Sequence, residues 1–144
     1  MAIKGISTTE QWTHFSRFDS AESDDAKTKW FLSAIPVAIR AYLGDITLLH
    51  VAAPDGSRAV QDRSATRNIE AVRFGLKGVE NFKDPDGNDI KLTFVDRLFG
   101  NDLYKVVDDE SLSKIPPLVI GELGETILSH NTMSEELRKK LLTP

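Results

Sequence analysis

The 144-residue chain contains no cysteine. That removes disulfides, thiolate metal ligands and thiol nucleophiles, and it fits a reducing compartment. No apolar run reaches the length of a bilayer-spanning helix. The opening residues MAIKGISTTEQWTHF lack the apolar centre of a signal peptide. Secretion and membrane insertion are therefore not expected. A basic excess is missing too: 18 Lys and Arg stand against 22 Asp and Glu, for a formal net charge of −4. Acids and bases are mixed along the chain, whereas a nucleic-acid binder usually carries a basic run or face. What is present is ordinary globular material, 40% hydrophobic and 28% charged. That length and composition support one domain with its own core, here residues 1–144.

Apolar spacing changes along the chain and predicts an α+β fold. Residues 7–18 allow two readings. Trp12, Phe15 and Phe18 lie at helical spacing, while Thr13, Phe15 and Arg17 alternate with Trp12, His14 and Ser16 as in a strand, and the Thr, Trp and Phe content favours the strand. Thr28 to Ile35 reads as a second strand, so the two can form an N-terminal β-pair. The stretch between them, residues 19–27, is acidic and aperiodic, and reads as a flexible loop. Pro36 suits the start of a helix, and Ile35, Ile39, Tyr42, Ile46 and Leu49 carry its stripe to about Val51. Ala65, Ile69, Val72, Leu76 and Val79 follow the same spacing and predict a central helix ending near Gly78. Lys83 to Asp89 is a turn. Ile90, Leu92 and Phe94 then alternate as in a half-buried strand, with a partner near Tyr104 to Val107 and a turn at Gly100-Asn101-Asp102. Asp108-Asp109-Glu110 places acids where a helix start favours them. Pro116 and Pro117 restart the chain into helices over residues 116–142. The last of these, about Glu135 to Leu142, follows a capping-box pattern at Thr132 to Glu135. The expected architecture is one small domain with the β-pair, a second hairpin over about 90–107 and about four helices.

Motifs with chemistry are sparse. His14, His50 and His130 lie far apart and lack zinc-site spacing. The acidic turn Asp84 to Asp89 has glycine at its fourth position and Val95 at its twelfth, unlike a calcium loop. Gly75-Leu76-Lys77-Gly78 is not a phosphate cradle, and no Gly-x-Ser-x-Gly elbow occurs. The clustered carboxylates read as helix caps, and Trp12, Trp30, Phe31 and Phe74 read as core. No catalytic residue, cofactor site or metal site is expected, and the chain reads as a non-enzyme. The apolar stripes of the C-terminal helices are core first. They are also the candidate partner-binding set: Val119, Ile120, Leu123, Ile127, Leu137 and Leu141.

Two blocks resemble proteins of tailed-phage structural operons. One is Glu70 to Asn88, EAVRFGLKGVENFKDPDGN. The other runs from Ser111 through Ile120-x-Glu122-Leu123-x-x-x-Ile127 to Asn131-Thr132-Met133-Ser134-Glu135-Glu136. A looser match covers Ile6 to Glu10 and Phe18-Asp19. Together they span well over half the chain. Val79 stands where such proteins often carry Trp. The resemblance is to tail assembly chaperones of long-tailed phages. It implies binding of tape-measure protein and tail-tube protein in the host cytoplasm, and absence from the finished tail. The same operons encode virion subunits of tail, neck and head–tail connector, so a structural subunit located in the virion is the alternative. A second copy of the chain is a further expected partner; nucleic acid and membrane are not.

Overall fold

The computed structural model describes residues 10–23 and 25–130, with the side chains of 49–51 left aside. Strand β1 (Gln11–His14) pairs antiparallel with β2 (Lys29–Ser33) across the acidic loop. Helix α1 (Val37–Thr47) follows Pro36 and buries Ile39 and Leu43. Strands β3 (Leu48–Ala52) and β4 (Arg58–Asp62) then form a separate antiparallel hairpin. Helix α2 (Ser64–Gly75) passes directly into β5 (Leu76–Glu80), which pairs with β2. The first sheet is therefore three-stranded, in the order β1-β2-β5. A third sheet is the hairpin of β6 (Phe94–Phe99) and β7 (Asp102–Val107). Short helix α3 (Asp109–Ser113) and the longer α4 (Pro117–His130) complete the described fold.

The mixed α+β domain, its N-terminal strand pair, the second hairpin and four helices are present, and the further helix expected over about 135–142 lies outside the described residues. Several boundaries differ from the sequence reading: the first strand ends at His14 and not near Phe18, and the second is Lys29–Ser33. The first helix stops at Thr47 and not near Val51, and a hairpin replaces the expected polar linker. The central helix stops at Gly75, so Leu76 and Val79 lie on a strand. Its buried face is Asn68, Ala71, Val72, Phe74 and Gly75, while Ile69 is exposed. The strand expected from Ile90 begins only at Phe94, although Ile90 and Leu92 do pack partly against the core.

One apolar core links these pieces. It joins Trp30 and Leu32 of β2, Ile39 and Leu43 of α1, Ala71, Val72 and Phe74 of α2, and Leu76 of β5. Val106 and Val107 of β7, Leu112 of α3, and Val119, Ile120, Leu123 and Ile127 of α4 close it. Burial of these side chains is the main term holding the domain together. Helix α2 lies at the centre, against α4, α1, β7 and β5. Its close approach to α4 depends on glycine. An added Cβ at Gly124 would lie 2.7 Å from Asn68 Cβ and 2.8 Å from Asn68 Cα. One at Gly75 would lie 2.7 Å from Ile127 Cδ1. At Gly124 the α4 backbone lies directly on that of α2, and at Gly75 the Ile127 side chain fills the space a Cβ would take.

Turn chemistry agrees with the observed corners. Asp84 Oδ1 accepts from Asp86 N and Asn88 N, both at 2.9 Å, and Gly87 takes φ 86°. Such a turn uses the short acidic side chain in place of a backbone acceptor. Asp108 caps α3 by accepting from Ser111 N at 2.8 Å. That hydrogen-bonding, with the Ser111 side chain as the leading cause, holds its carboxyl below the ordinary value of 3.8.

Candidate interaction surfaces

Polar side chains fasten the end of β1 and the residues after it to α4, beside the packing of Trp12 against the core. Glu122 on α4 has its side chain only 8% exposed. Its Oε1 lies 2.6 Å from His14 Nε2 and accepts from Arg17 N at 3.2 Å. Its Oε2 accepts from Ser16 Oγ at 3.1 Å. Four residues beyond Ile127's neighbour Thr126, His130 stacks on Trp12 with ring centroids 3.8 Å apart, and its Nε2 lies 3.1 Å from Glu10 Oε2. Two of the three histidines thus join the first described strand to the last described helix. Each works as a hydrogen-bonding or stacking group, and the spacing in sequence gave no hint of it because the partners are more than a hundred residues away.

A second polar cluster positions the β6–β7 hairpin on α2. Glu70 receives Arg73 Nε and Arg97, each at 3.2 Å, and Arg73 also pairs with Asp109 at 2.6 Å. Burial works against the Arg73 charge, yet Asp109 and Glu70 raise its pKa above the ordinary value. Arg97 lies over the Phe74 ring, 5.5 Å from its centroid. Phe74, Phe99 and Tyr104 meet edge to face, and Tyr42 of α1 meets Phe99. Such edge contacts are the favoured aromatic geometry. They fix one face of the hairpin.

The opposite face of the same hairpin is uncovered near its tip. Leu98 and Leu103 are register partners, so their side chains adjoin on one side of the ladder. They are 65% and 69% exposed. Beside them the Asp96 and Lys105 positions also pair across the ladder. The β3–β4 hairpin is the other uncovered element. Every residue of β4 is exposed, and Leu48 and Val60 remain open on one face. It meets the remainder of the described chain chiefly through α1.

The six candidate partner-binding positions divide. Val119, Ile120, Leu123 and Ile127 are buried in the chain's own core. The apolar residue that α4 exposes is Leu118, at 68%. Leu137 and Leu141 lie outside the described residues. The cleft beside the acidic loop is lined by Phe18, Asp19, Thr28, Asn81 and Phe82. Its polar groups already bond each other: Asp19 accepts from Thr28 N, Thr28 Oγ1 donates to Asn81 O, and Asn81 Nδ2 donates to Ala26 O. Among the described residues, no group of three or more His, Cys, Asp or Glu could hold a metal ion. Among them too, no helix is long and apolar enough to cross a membrane. No family model, curated protein or solved structure matches the chain.

Proposed function

We propose that this chain is a non-catalytic assembly factor of a long-tailed phage, holding tape-measure or tail-tube protein in the host cytoplasm while the tail is built. The sequence blocks at 70–88 and 111–136, which resemble tail assembly chaperones, motivate the phage context. The observation that carries the binding role is the adjoining pair Leu98 and Leu103 on an ordered hairpin whose other face is fixed to α2. A chaperone of this kind covers apolar segments of its client before they meet their final neighbours, and a rigid apolar tip suits that task.

The reading is tested by co-expressing the chain with the tape-measure and tube genes of its operon. A pull-down through a tag on this chain should recover one of the two products. Recovery of neither from soluble lysate would overturn the proposal.

A further inference from the structure

We propose that two copies of this chain pair through their β4 strands, antiparallel and in one register, joining the two β3–β4 hairpins into a four-stranded sheet. The inference is independent of the phage reading and is carried by the hairpin's ladder and its sequence.

The ladder fixes which backbone groups are free. At one end Ala53 N donates to Ser57 O at 2.7 Å, and at the other Arg63 N donates to Thr47 O at 2.7 Å. Ser57 O and Arg63 N thus face the β3 side of the hairpin, bonded to the residues that flank β3. Antiparallel pairs alternate between bonded and non-bonded positions, so Ala59 and Gln61 do the same. The N–H and C=O groups of Arg58, Val60 and Asp62 point the other way. Among the described residues, no strand lies on that edge. An open edge with free donors and acceptors is a template for a further strand.

The side chains specify which strand. β4 reads Arg-Ala-Val-Gln-Asp. Turned antiparallel on itself about Val60, it sets Arg58 opposite Asp62 of the second copy, Val60 opposite Val60, and Asp62 opposite Arg58. The residues brought together are the ones whose backbone groups face outward, so each pair exchanges both N–H···O bonds. A slip of one residue would oppose outward groups to inward ones. A slip of two would set a charge against Val60 and leave both ion pairs unmade. Only the centred register satisfies backbone and charge together. It is also self-complementary, as a two-fold interface requires.

Both charges are available. Asp62 Oδ1 accepts from Ser64 N at 2.9 Å and from Ser64 Oγ, and those bonds hold its carboxyl below the ordinary value of 3.8. Its other oxygen takes part in neither bond. Arg58 is exposed and makes no ion pair among the described residues. Leu48 lies on the Val60 face, diagonal to it, and widens the apolar centre.

The test is association of the full chain by light scattering and native mass spectrometry. Wild type should form a concentration-dependent dimer. Arg58→Asp opposes two Asp–Asp pairs and Asp62→Arg opposes two Arg–Arg pairs, so each alone should dimerise about tenfold or more weakly. Mixed together, the two variants restore both ion pairs, and the heterodimer should form in preference to either homodimer. Val60→Cys supplies the chain's only thiol at the two-fold axis, where a bonded pair brings Cα atoms about 5.5 Å apart, within disulfide range. Mild oxidation should therefore give a covalent dimer, and this arm does not depend on Asp62 and its contact to Ser64. A wild type that stays monomeric at submillimolar concentration overturns the proposal. So does an Arg58→Asp variant that dimerises like wild type, or folded variants whose mixture gains nothing. Should circular dichroism show Asp62→Arg unfolded, failure of Val60→Cys to cross-link decides against it.

Discussion

Glu122 Oε1 stands 2.6 Å from His14 Nε2, joining the middle of α4 to the end of β1. The same carboxylate also accepts from Ser16 Oγ and Arg17 N. Removing it leaves several polar groups without their partner in a poorly hydrated place, which costs more than the lost bonds themselves. Glu122→Ala should lower stability to urea by about 1–3 kcal/mol. A cycle with His14→Ala should show coupling of about 0.5 kcal/mol or more. Additive effects would mean that the pair contributes nothing beyond its separate residues.

Glycines on α4 should respond in opposite directions. At Gly124 a methyl group would meet the Asn68 backbone, which cannot move without shifting α2. Gly124→Ala should cost about 1–3 kcal/mol. At Gly121 an added Cβ has nothing within 4 Å. Gly121→Ala should then stabilise by about 0.4–1 kcal/mol, through helix propensity and a less free unfolded chain. Thermal melts of the two variants check the contrast, and equal signs would contradict the packing described.

This helix pair shows what was legible in the sequence. The α4 stripe of Val119, Leu123 and Ile127 is visible from its spacing and is buried as expected. Its partner face on α2 was misread. The stripe Ala65, Ile69, Val72, Leu76 and Val79 continues through two residues that belong to β5, while the true face includes Asn68 and Gly75. Apolar periodicity cannot register a contact made by a glycine and a buried asparagine. The β3–β4 hairpin was missed for a related reason. Ile46 and Leu49 extend the α1 spacing past its end, and β4 buries neither face, so it has no period of two to detect. The polar fastening of β1 by Glu122 needed three-dimensional proximity. No local pattern connects residue 14 with residue 122.

Acid should weaken the start of α3. The Asp108 carboxyl is held below 3.8 by hydrogen bonds from Ser111. A depressed folded-state value adds stability at pH above the unfolded value and loses it as pH falls from about 4 downward through the folded value. Asp108→Asn should therefore flatten part of the acid-side decline in stability. Because the carboxylate is exposed, the effect should be small, and urea titrations at pH 7 and pH 3 measure it. A variant with an unchanged pH slope would contradict the cap.

The Asp84–Asp89 turn should not take up calcium. Asp84 Oδ1 is committed to two backbone N–H groups, and Asp89 is paired with Lys83. The acidic oxygens also lack the order and closing glutamate of a calcium loop. Calorimetry should show no stoichiometric site below millimolar calcium. A site abolished by Asp84→Ala would contradict this.

Two residue pairs are proposed for client binding: Leu98 and Leu103, exposed on the β6–β7 hairpin, and Leu137 and Leu141, which lie outside the described residues. Leu98→Asp with Leu103→Asp should leave the fold intact by circular dichroism, since both side chains are exposed, and should cut client recovery about tenfold or more. Leu137→Asp with Leu141→Asp tests the C-terminal expectation in the same pull-down. Retained binding in both folded variants would remove both pairs from the proposed interface.

The proposed role requires the chain to act while the tail is built and then to leave. It is tested most directly by quantitative mass spectrometry of infected cells and of purified particles from a phage carrying this gene. In that role the chain should be found in the lysate, bound to tape-measure or tube protein, and be absent from finished particles. Its presence in purified virions at the level of a structural subunit would overturn the assembly-factor role and favour a tail, neck or connector component.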